Sequence, residues 1–374
     1  MSRRIVLISP YALSVYGGVQ EQVLAMSREL ARRGDDVLIV APDHFDVAPY
    51  DTPVNVVRLG RVFSIPANGS RAPLTLSPRA SREASRVIEN FAPDVVHVHE
   101  PFAPLLAWST LRRHRAPIVG TFHRGGSGPA LHLTGPLLRR LGRGLDVVTA
   151  VSELAATTIH DATKLTPAVL FNGFETERLR SQERRRGSDI TLCVVGRLET
   201  RKGVEVVINA VRAHNARGAD TWQLVILGDG PERARLEALS AYDECITFLG
   251  AANDDVKCSL LRRSNVLIAP ALRGESFGMV LLEAMASETA VVASDIKGYR
   301  DAAGSHATFF SSGRSSSLEE AIIQSLRSEN PARIESARAH AERWSMRQLL
   351  DAYAPLYDEA ISLYRGRVAL RGGN

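Results

Sequence analysis

Two glutamates surround a glycine-rich turn in residues 273–285. Glu275 lies in the loop before a predicted helix, and Glu283 lies eight residues further on, within that helix. Carboxylates accept hydrogen bonds from sugar hydroxyls, and backbone N–H groups at the start of a helix favour phosphates. Glutamates beside a helix are usually only solvated. The glycine–aromatic–glycine context around Phe277 and Gly278 favours a site for a phosphorylated sugar instead.

A second loop carries two cations that suit a diphosphate. Arg197 and Lys202 lie between Gly196 and Gly203, directly after a predicted strand. Fixed cations at such a point offset the negative charge that develops on a departing phosphate. A solvated loop is the alternative for this segment taken alone, and its combination with the glutamate pair favours the phosphate site.

A glycine pair, Gly17-Gly18, precedes a predicted helix near the start of the chain. Glycine lets a backbone approach a ligand closely, and a helix N-terminus supplies unpaired N–H groups for an anion. The glycines lack the G-x-G-x-x-G spacing of dinucleotide-binding proteins. We therefore expect an anion-facing loop, with a simple tight turn as the alternative.

Two histidines lie at alternate positions near the end of one predicted strand. His97 and His99 therefore point to the same face, and Glu100 follows them. A metal site is one interpretation of this pattern, and an ordinary strand end is the preferred one. Because no Asp-x-Asp pair is present to hold a divalent cation, we expect no metal bound by the protein.

The elements that position these residues alternate between short apolar runs and longer amphipathic stretches. Strands are predicted at 4–9, 36–40, 54–59, 94–98, 118–122, 146–150, 191–195, 223–227, 246–249, 265–270, 290–294 and 307–310. Helical patterns separate most of them, among them 19–33, 79–91 and 131–141. Buried strands that alternate with helices imply an α/β protein with two doubly wound, Rossmann-like parallel sheets.

The chain is expected to form two domains. The turn at Asn172-Gly173 places the first at residues 1–170 and the second at 171–345. A helix predicted at 346–365 crosses back and packs on the first domain, and the residues from Gly366 onward are expected to fray.

Composition excludes several classes of protein. The 374 residues are 45% apolar and 23% charged, which excludes disordered, collagen-like and disulfide-stapled chains. No apolar run is long enough to span a bilayer, and Pro10 and Ser14 interrupt the one stretch that resembles a secretion signal. The net charge is +5, and all of the excess lies within residues 1–170. Three cysteines without metal-ligand spacing fit a reducing compartment.

Together these motifs resemble the family 4 retaining glycosyltransferases of the GT-B fold, over nearly the whole chain. The matching segments are Gly17-Gly18-Val19-Gln20, His97-Val98-His99-Glu100-Pro101, Gly120-Thr121-Phe122-His123, Asn172-Gly173, Gly196-Arg197 with Lys202-Gly203, and Glu275 with Glu283. Others resemble the actinobacterial members that transfer mannose to phosphatidylinositol, namely Pro10-Tyr11, Ile65-Pro66, Asn68-Gly69-Ser70, Ala103-Pro104 and Gly274-Glu275-Ser276-Phe277-Gly278. The resemblance implies two Rossmann-like domains that face a central cleft.

The resemblance also implies a donor, GDP-mannose, and the residues that bind it. Gly18, Arg197 and Lys202 would hold the diphosphate, Glu275 with the turn Phe277-Gly278-Met279 the transferred sugar, and Glu283 the ribose. Asp254 and Lys257 match positions near the base, where a carboxylate suits guanine, although Asp254 as a helix cap is the alternative. The implied catalytic residues are His123, which lies against the donor sugar, together with Arg197, Lys202 and Glu275.

The implied acceptor is phosphatidylinositol or a related anionic molecule. Its residues would be Tyr11, Gln20, Asn68, Ser70, Arg71, Arg79, Arg82 and Arg86. The last three recur on one face of a predicted helix and suit an anionic membrane surface, while a plain surface helix with an apolar core face is equally compatible. Glu83 and Pro73 depart from the pattern of the enzymes that the chain resembles, as does the segment after His123.

The remaining expectations concern partners and alternatives. We expect no protein-bound cofactor, with Mg²⁺ at most accompanying the nucleotide, no nucleic-acid partner, and a monomer. The expected location is cytoplasmic, peripheral on the inner face of the plasma membrane. Alternatives are a transferase of this family with a UDP-sugar donor or with an inositol phosphate or other glycolipid acceptor, a nucleotide-dependent dehydrogenase, and a non-catalytic sugar-nucleotide sensor.

Overall fold

The computed structural model describes most of the chain and divides it into two units. The described residues are 2–15, 17–43, 52–60, 62–67, 70–75, 77–104, 106–113, 116–123, 129–180, 189–218, 220–240, 243–275 and 277–372. The first unit consists of Met1–Gly173 and Met346–Asn374, and the second unit of Phe174–Ser345.

The first unit is built on a parallel sheet. The strands of this unit are β1 (Arg4–Ile8), β2 (Asp36–Ala41), β3 (Asn55–Arg58), β4 (Phe63–Ala67), β5 (Ser70–Leu74), β6 (Val95–His99), β7 (Ile118–Phe122), β8 (Val147–Ala150) and β9 (Ala168–Val169). Its first five helices are α1 (Gly18–Arg32), α2 (Pro78–Phe91), α3 (Leu106–Arg113), α4 (Pro129–Gly142) and α5 (Glu153–Thr163). Seven strands form the sheet in the order β3-β2-β1-β6-β7-β8-β9.

Alternate residues of β1 point into two separate cores. Val6 and Ile8 join the core that contains the apolar face of α2, whereas Ile5 and Leu7 join the core on the other face of the sheet. All four side chains are fully buried. A strand buried on both faces appears in sequence as a continuous apolar run, which is why β1 could be predicted.

The second unit contains a second parallel sheet. Its strands are β10 (Ile190–Val195), β11 (Trp222–Leu227), β12 (Ile246–Gly250), β13 (Val266–Ala269), β14 (Ala290–Ser294) and β15 (Thr308–Phe310), in the order β12-β11-β10-β13-β14-β15. Its helices are α6 (Thr176–Arg180), α7 (Val204–Asn215), α8 (Arg233–Ser240), α9 (Asp254–Arg263), α10 (Met279–Ala286), α11 (Lys297–Ala303), α12 (Ser315–Ser328) and α13 (Pro331–Glu342), and Thr200–Lys202 forms a 3₁₀ turn.

The strand order confirms the predicted α/β class and the two Rossmann-like sheets. Every predicted strand is present, with ends that differ by at most one residue. The order of each sheet reverses beside its first strand, between β1 and β6 in the first unit and between β10 and β13 in the second. Loops on either side of such a reversal diverge, and ligands of doubly wound sheets bind at that point.

The antiparallel hairpin of β4 and β5 was not predicted. Its register pairs Ile65 with Ala72 and Pro66 with Arg71. Prolines in both strands remove backbone donors, which demotes such segments in any pattern-based prediction. The sequence of these two segments therefore shows no hydrophobic alternation that would predict strands. In the structure they form a separate two-stranded sheet, outside the seven-stranded one.

The last helix, α14 (Met346–Gly372), returns the chain to the first unit. Leu350, Tyr353, Tyr357 and Ala360 are buried in the core against α1 and the sheet. The expectation that the chain frays from Gly366 is wrong, because the helix continues to Gly372. Arg367 lies 2.7 Å from the carboxylate of Asp146, whose side chain is only 1% exposed, and this ion pair fastens the last turns.

Two further findings concern the whole described chain. No described helix is both long and apolar enough to cross a bilayer. Cys193, Cys245 and Cys258 are free cysteines, and the first and last of these are buried.

A matched pair of glycines tests how tightly the loop before α7 is packed. Gly203 and Gly218 both have a left-handed backbone, with φ of +66° and +71°. A Cβ at Gly203 would lie 2.2 Å from the carbonyl oxygen of Pro270, whereas a Cβ at Gly218 would meet nothing within 4 Å.

We expect Gly218→Ala to lower the free energy of unfolding by about 1 kcal/mol, from the left-handed backbone alone. Gly203→Ala should lower it by roughly 2 kcal/mol more, because the Pro270 backbone must also move. Chemical denaturation of both variants measures the difference. Equal losses would contradict the close approach of the two loops.

Candidate active site

The carboxylate of Glu275 is the centre of a charged cluster in the second unit. Its Oε1 atom lies 2.6 Å from Nη1 of Arg201 and 2.8 Å from Nζ of Lys202. Glu199 completes the cluster, with Oε2 2.9 Å from Nε of Arg201 and Oε1 3.2 Å from Nε of Arg197. We call these five residues the cationic cluster, because three cations face two carboxylates.

The backbone brings the cationic cluster together from two loops. The 196–203 loop follows β10, and the loop that contains Glu275 follows β13, the strand paired with β10. The amide of Leu272 donates a 2.8 Å hydrogen bond to the carbonyl of Arg201, which ties one loop to the other. Both loops therefore begin at the point where the order of the second sheet reverses.

The cations of this cluster differ in exposure. The side chain of Arg197 is 60% exposed, whereas that of Lys202 is 23% exposed. Burial alone would lower the pKa of Arg201, but the hydrogen bond to Glu275 and the charges of Glu275 and Glu199 raise it above its usual value. Arg201 is thus a fixed counterion of Glu275, while Arg197 remains open to an anionic ligand.

A second charged group lies along α9 and α10. Nζ of Lys257 is 3.0 Å from Oδ1 of Asp254 and 2.9 Å from Oε1 of Glu283. Arg178 adds an ion pair with Asp254 at 3.5 Å. We call these four residues the Lys257 group. The predicted neighbours Asp254, Lys257 and Glu283 are thus brought into direct contact.

Asp254 does not cap α9. The side chain of Asn253 is the N-cap and accepts from the amide of Val256 at 3.1 Å. The capping alternative for Asp254 is therefore wrong, and its carboxylate pairs with Lys257 instead.

The turn before α10 separates the two charged groups. The ring of Phe277 is buried and packs on Trp344 with a centroid distance of 4.7 Å. Gly278 has φ of +103°, and a Cβ there would lie 2.6 Å from the buried ring of Tyr299. Phe277 therefore anchors the turn with its side chain. Ser276 lies outside the described residues, and Met279 begins α10.

In the first unit, three histidines form one stack. The ring of His97 lies 4.5 Å from that of His99, and the ring of His99 lies 5.1 Å from that of His123. Nδ1 of His99 is 2.9 Å from Nε2 of His123. The backbone amide of His123 donates to Oε1 of Glu100 at 2.8 Å. His123, at the end of β7, is therefore held by both ring and backbone.

Hydroxyl groups extend this stack towards α14. His97 contacts the hydroxyl of Tyr357 at 2.9 Å and that of Thr121 at 2.6 Å. Thr121 in turn contacts the hydroxyls of Thr149 and Tyr353 at 2.7 and 2.8 Å. The nitrogens of His97 are thus occupied by hydroxyls, and its ring stacks on His99. No described group of three or more histidine, cysteine or acidic side chains has the arrangement of a metal site.

Burial keeps all three imidazoles neutral. Desolvation lowers the pKa of His123 to about 3, and desolvation followed by the charge of His123 lowers the pKa of His97 to about 3. The pKa of His99 is also far below its usual value, because of burial and then the two neighbouring rings. These histidines therefore act as neutral hydrogen-bonding groups at physiological pH.

The glycine pair lies at the start of α1. Gly17 is the N-cap residue, and no side chain caps the helix there. A Cβ at Gly18 would meet no described atom within 4 Å, so packing against the described residues does not require a glycine at this position. The space beside Gly18 is therefore available for a ligand to approach the helix N-terminus.

The predicted acceptor residues of the first unit are in different environments. Tyr11 and Gln20 are buried, and the amide of Gln20 donates to the carbonyl of Ala12 at 3.3 Å. Tyr11 forms an isolated bridge with Leu74, which places it beside the β4–β5 hairpin. Ser70 and Arg71 belong to β5, and the predicted residue Asn68 lies outside the described residues.

Helix α2 presents its arginines to solvent and its apolar stripe to the core. Arg79, Arg82 and Arg86 are exposed. Ala84 and Ile88 are buried in the core of the first unit. The interpretation as a surface helix with an apolar core face is thus correct.

Sequence reasoning missed several residues of these groups. Arg201 and Glu199 lie inside the predicted phosphate loop, and their charges in that loop were a usable signal. Tyr353 and Tyr357 are spaced by one helical turn, but only the fold shows that they meet His97.

Comparison with known proteins identifies the family. Residues 16–178 match the model of Glycosyltransferase Family 4, and residues 175–343 match that of Glycosyl transferases group 1. A phosphatidyl-myo-inositol mannosyltransferase of Mycobacterium leprae is 35% identical over 333 residues, which cover 87% of this chain and 88% of the relative. The chain is a family 4 glycosyltransferase.

This glycosyltransferase has further relatives with the same description. A phosphatidyl-myo-inositol mannosyltransferase of Propionibacterium freudenreichii is 32% identical over 359 residues, which cover 92% of each chain. Among solved structures, sucrose-phosphate synthase from Thermosynechococcus elongatus matches with a TM-score of 0.73 and 18% identity, over 96% of this chain and 99% of that one. The family and the GT-B fold inferred from the sequence motifs are therefore confirmed, and the protein is a sugar-transferring enzyme.

The buried histidines generate a prediction about stability against pH. In the unfolded chain a histidine has a pKa near 6.5, whereas burial lowers the pKa of His97 and His123 to about 3. Between these values the unfolded state binds more protons, so the free energy of unfolding should fall as the pH decreases. The loss is at most about 1.4 kcal/mol per pH unit for each buried histidine.

Urea denaturation between pH 7 and pH 4 measures this slope. His97→Gln should make the slope shallower, and the same change at His160, which is exposed on α5, should leave it unchanged. An identical slope for wild type and His97→Gln would show that His97 does not remain neutral in the folded protein.

Proposed function

We propose that this enzyme transfers mannose from GDP-mannose to the inositol ring of phosphatidylinositol. The observation that carries the proposal is the cationic cluster at the reversal point of the second sheet, in which Arg201 and Lys202 pair with Glu275 and Arg197 pairs with Glu199. Relatives that cover most of the chain are named phosphatidyl-myo-inositol mannosyltransferases, which supports this donor sugar and this acceptor.

The cationic cluster supplies the charge that a nucleotide diphosphate requires. We assign the diphosphate to Arg197 and Lys202, whose charges oppose those of its phosphates. Arg197 is the most exposed of these side chains, and the cluster has one more cation than it has carboxylates. Glu275 would accept hydroxyls of the transferred mannose, and His123 would contact the same sugar.

The Lys257 group would bind the nucleoside. Glu283 would accept ribose hydroxyls, and Asp254 would accept the N1 and N2 hydrogens of guanine. Lys257 lies between these carboxylates and holds both within 3.0 Å. A carboxylate at the base favours guanine over uracil, which presents no adjacent pair of donors, and therefore favours GDP over UDP.

The transfer would retain the configuration of the sugar. The bond between the anomeric carbon and the departing phosphate oxygen breaks, and the acceptor oxygen bonds to the anomeric carbon on the same face. The acceptor hydroxyl gives its proton to the departing phosphate oxygen, and GDP is released. Arg197 and Lys202 would stabilise the charge that grows on that phosphate. No cofactor is required by this scheme, and Mg²⁺ would at most accompany the nucleotide.

The acceptor would bind to the first unit. Tyr11 and the β4–β5 hairpin lie at the carboxyl end of β1, beside the uncapped start of α1. Arginines of α2 would meet lipid phosphates through charge alone, because the apolar stripe of that helix is buried. We propose accordingly that the enzyme works as a monomer, peripheral on the cytoplasmic face of the membrane.

One assay tests the proposal directly. The purified enzyme is incubated with radiolabelled GDP-mannose and phosphatidylinositol liposomes, and the product is identified by mass spectrometry. Parallel reactions contain UDP-glucose in place of GDP-mannose, or inositol phosphate in place of the lipid. Mannosylated phosphatidylinositol is the expected product. Product only from a UDP-sugar, or only with inositol phosphate, would replace the proposed donor or acceptor with that alternative.

Removal of Arg197 should affect turnover much more than folding. The side chain of Arg197 is 60% exposed, and its described ion pair is with Glu199 alone, so its loss costs little stability. If it stabilises the departing phosphate, Arg197→Ala should lower kcat by about 100-fold or more. Arg338→Ala, which removes an arginine paired with Glu335 on α13, is the control. Near-wild-type turnover by Arg197→Ala would contradict the assignment of Arg197 to the departing phosphate.

The arginine edge of α2 should bind anionic vesicles in a salt-dependent way. Replacement of Arg79, Arg82 and Arg86 by glutamine should weaken sedimentation with phosphatidylinositol vesicles, because each cation near an anionic surface contributes about 1 kcal/mol. Replacement of Arg139, Arg140 and Arg143, which are exposed on and after α4, changes the net charge equally and is the matched control. Equal weakening by both triple variants would show that net charge, rather than this helix, decides binding.

A further inference from the structure

The ring of His123 is held by one neighbour through a specific atom. Nδ1 of His99 lies 2.9 Å from Nε2 of His123, and the two ring planes are inclined by 27°. The next residue, Glu100, accepts the backbone amide of His123 at 2.8 Å. Two consecutive residues at the end of β6 therefore fix both the main chain and the ring of His123.

His99 is itself prevented from turning. Its other face stacks on His97, with ring planes inclined by 15°, and His99 is fully buried. His97 is held at both of its nitrogens by the hydroxyls of Tyr357 and Thr121. The stack therefore transmits a fixed orientation from the sheet and α14 to the ring of His123.

A hydrogen bond between two neutral imidazoles constrains where their protons lie. Each neutral ring has one N–H and one acceptor nitrogen, so one ring must donate and the other must accept. Once Nε2 of His123 is committed to His99, its Nδ1 has the opposite role. Nδ1 of His123 is buried and has no hydrogen-bond partner among the described residues, so Nε2 is the ring nitrogen through which the described contacts hold His123.

We propose that His99 is a positioning residue for His123. The bond from Nδ1 of His99 fixes the ring orientation of His123 and couples the tautomers of the two rings, so that His123 meets the donor sugar in one orientation. This proposal rests on the proposed function, in which His123 contacts the transferred mannose. His99 touches neither substrate in this scheme and acts only through His123.

Three substitutions at His99 separate positioning from packing. His99→Phe preserves a stacking ring but removes both nitrogens. His99→Asn places an amide at the same distance from Cβ as Nδ1, whereas His99→Gln places it at the distance of Nε2. Because the contact to His123 uses Nδ1, only the asparagine variant can restore it.

The kinetic result should therefore differ within this series. We expect His99→Phe and His99→Gln to lower kcat by about 10- to 100-fold, as a misoriented catalytic group does, with a change in KM for GDP-mannose below about threefold. His99→Asn should recover most of the lost kcat. Equal kcat for wild type and His99→Phe, or equal losses in all three variants, would reduce His99 to a packing residue.

A spectroscopic measurement decides the point without any turnover. In protein with ¹⁵N-labelled histidine, assigned with His123→Asn, wild-type His123 should show one protonated and one unprotonated ring nitrogen. In His99→Phe the two signals should move towards each other as the tautomers exchange. Unchanged signals in His99→Phe would overturn the proposal. If wild type makes no product from GDP-mannose, the proposed function fails, and these signals still decide whether His99 positions His123.

Discussion

Each sheet reverses its strand order beside its first strand, and the positions of the candidate site residues follow from that reversal. In the second unit the loops after β10 and β13 diverge there, which brings Lys202 and Glu275 within 2.8 Å of each other. In the first unit the loops after β1 and β6 diverge at the corresponding point; the first leads to Gly18 at the start of α1, and the second carries Glu100. Since parallel strands end at one edge of a sheet, residues far apart in sequence converge without any local signal that pairs them.

Opposite charges pair with one another in the cationic cluster of the second unit. Glu275 shares one carboxylate oxygen between Arg201 and Lys202. Under the proposed function, a diphosphate would draw Lys202 away, and Arg201 would keep its contact with Glu275. Glu275 would then have capacity to accept a sugar hydroxyl while remaining ionised. The histidines of the first unit are neutral instead, and they form hydrogen bonds rather than ion pairs.

Much of this arrangement could be predicted from sequence, and the remainder has identifiable physical reasons. Buried strands such as β1 and β14 are continuous apolar runs bounded by turn residues, so their limits were predictable to within one residue. Arg197 and Glu275 were identifiable because glycines flank them after predicted strands. The ion pairs around Lys257 were only partly predictable, since Arg178 comes from α6 and only the fold brings it to Asp254.

Other features depend on contacts that no local pattern encodes. The extension of α14 to Gly372 rests on the ion pair of Arg367 with Asp146, and these residues are far apart in sequence. The histidine stack needs β6, β7 and α14 to be adjacent before His97 can meet Tyr357. Alternation along β6 correctly placed His97 and His99 on one face of the strand. On that face the two rings stack on each other and do not converge on a shared ligand.

The central claim is that the cationic cluster binds the diphosphate of the donor. A crystal structure of the enzyme with GDP tests it most directly. The account predicts the β-phosphate within hydrogen-bonding distance of Arg197 and Lys202, with Lys202 moved away from Glu275 and Arg201 still paired with it. A phosphate bound elsewhere on the enzyme, with the pair of Lys202 and Glu275 intact, would contradict the account.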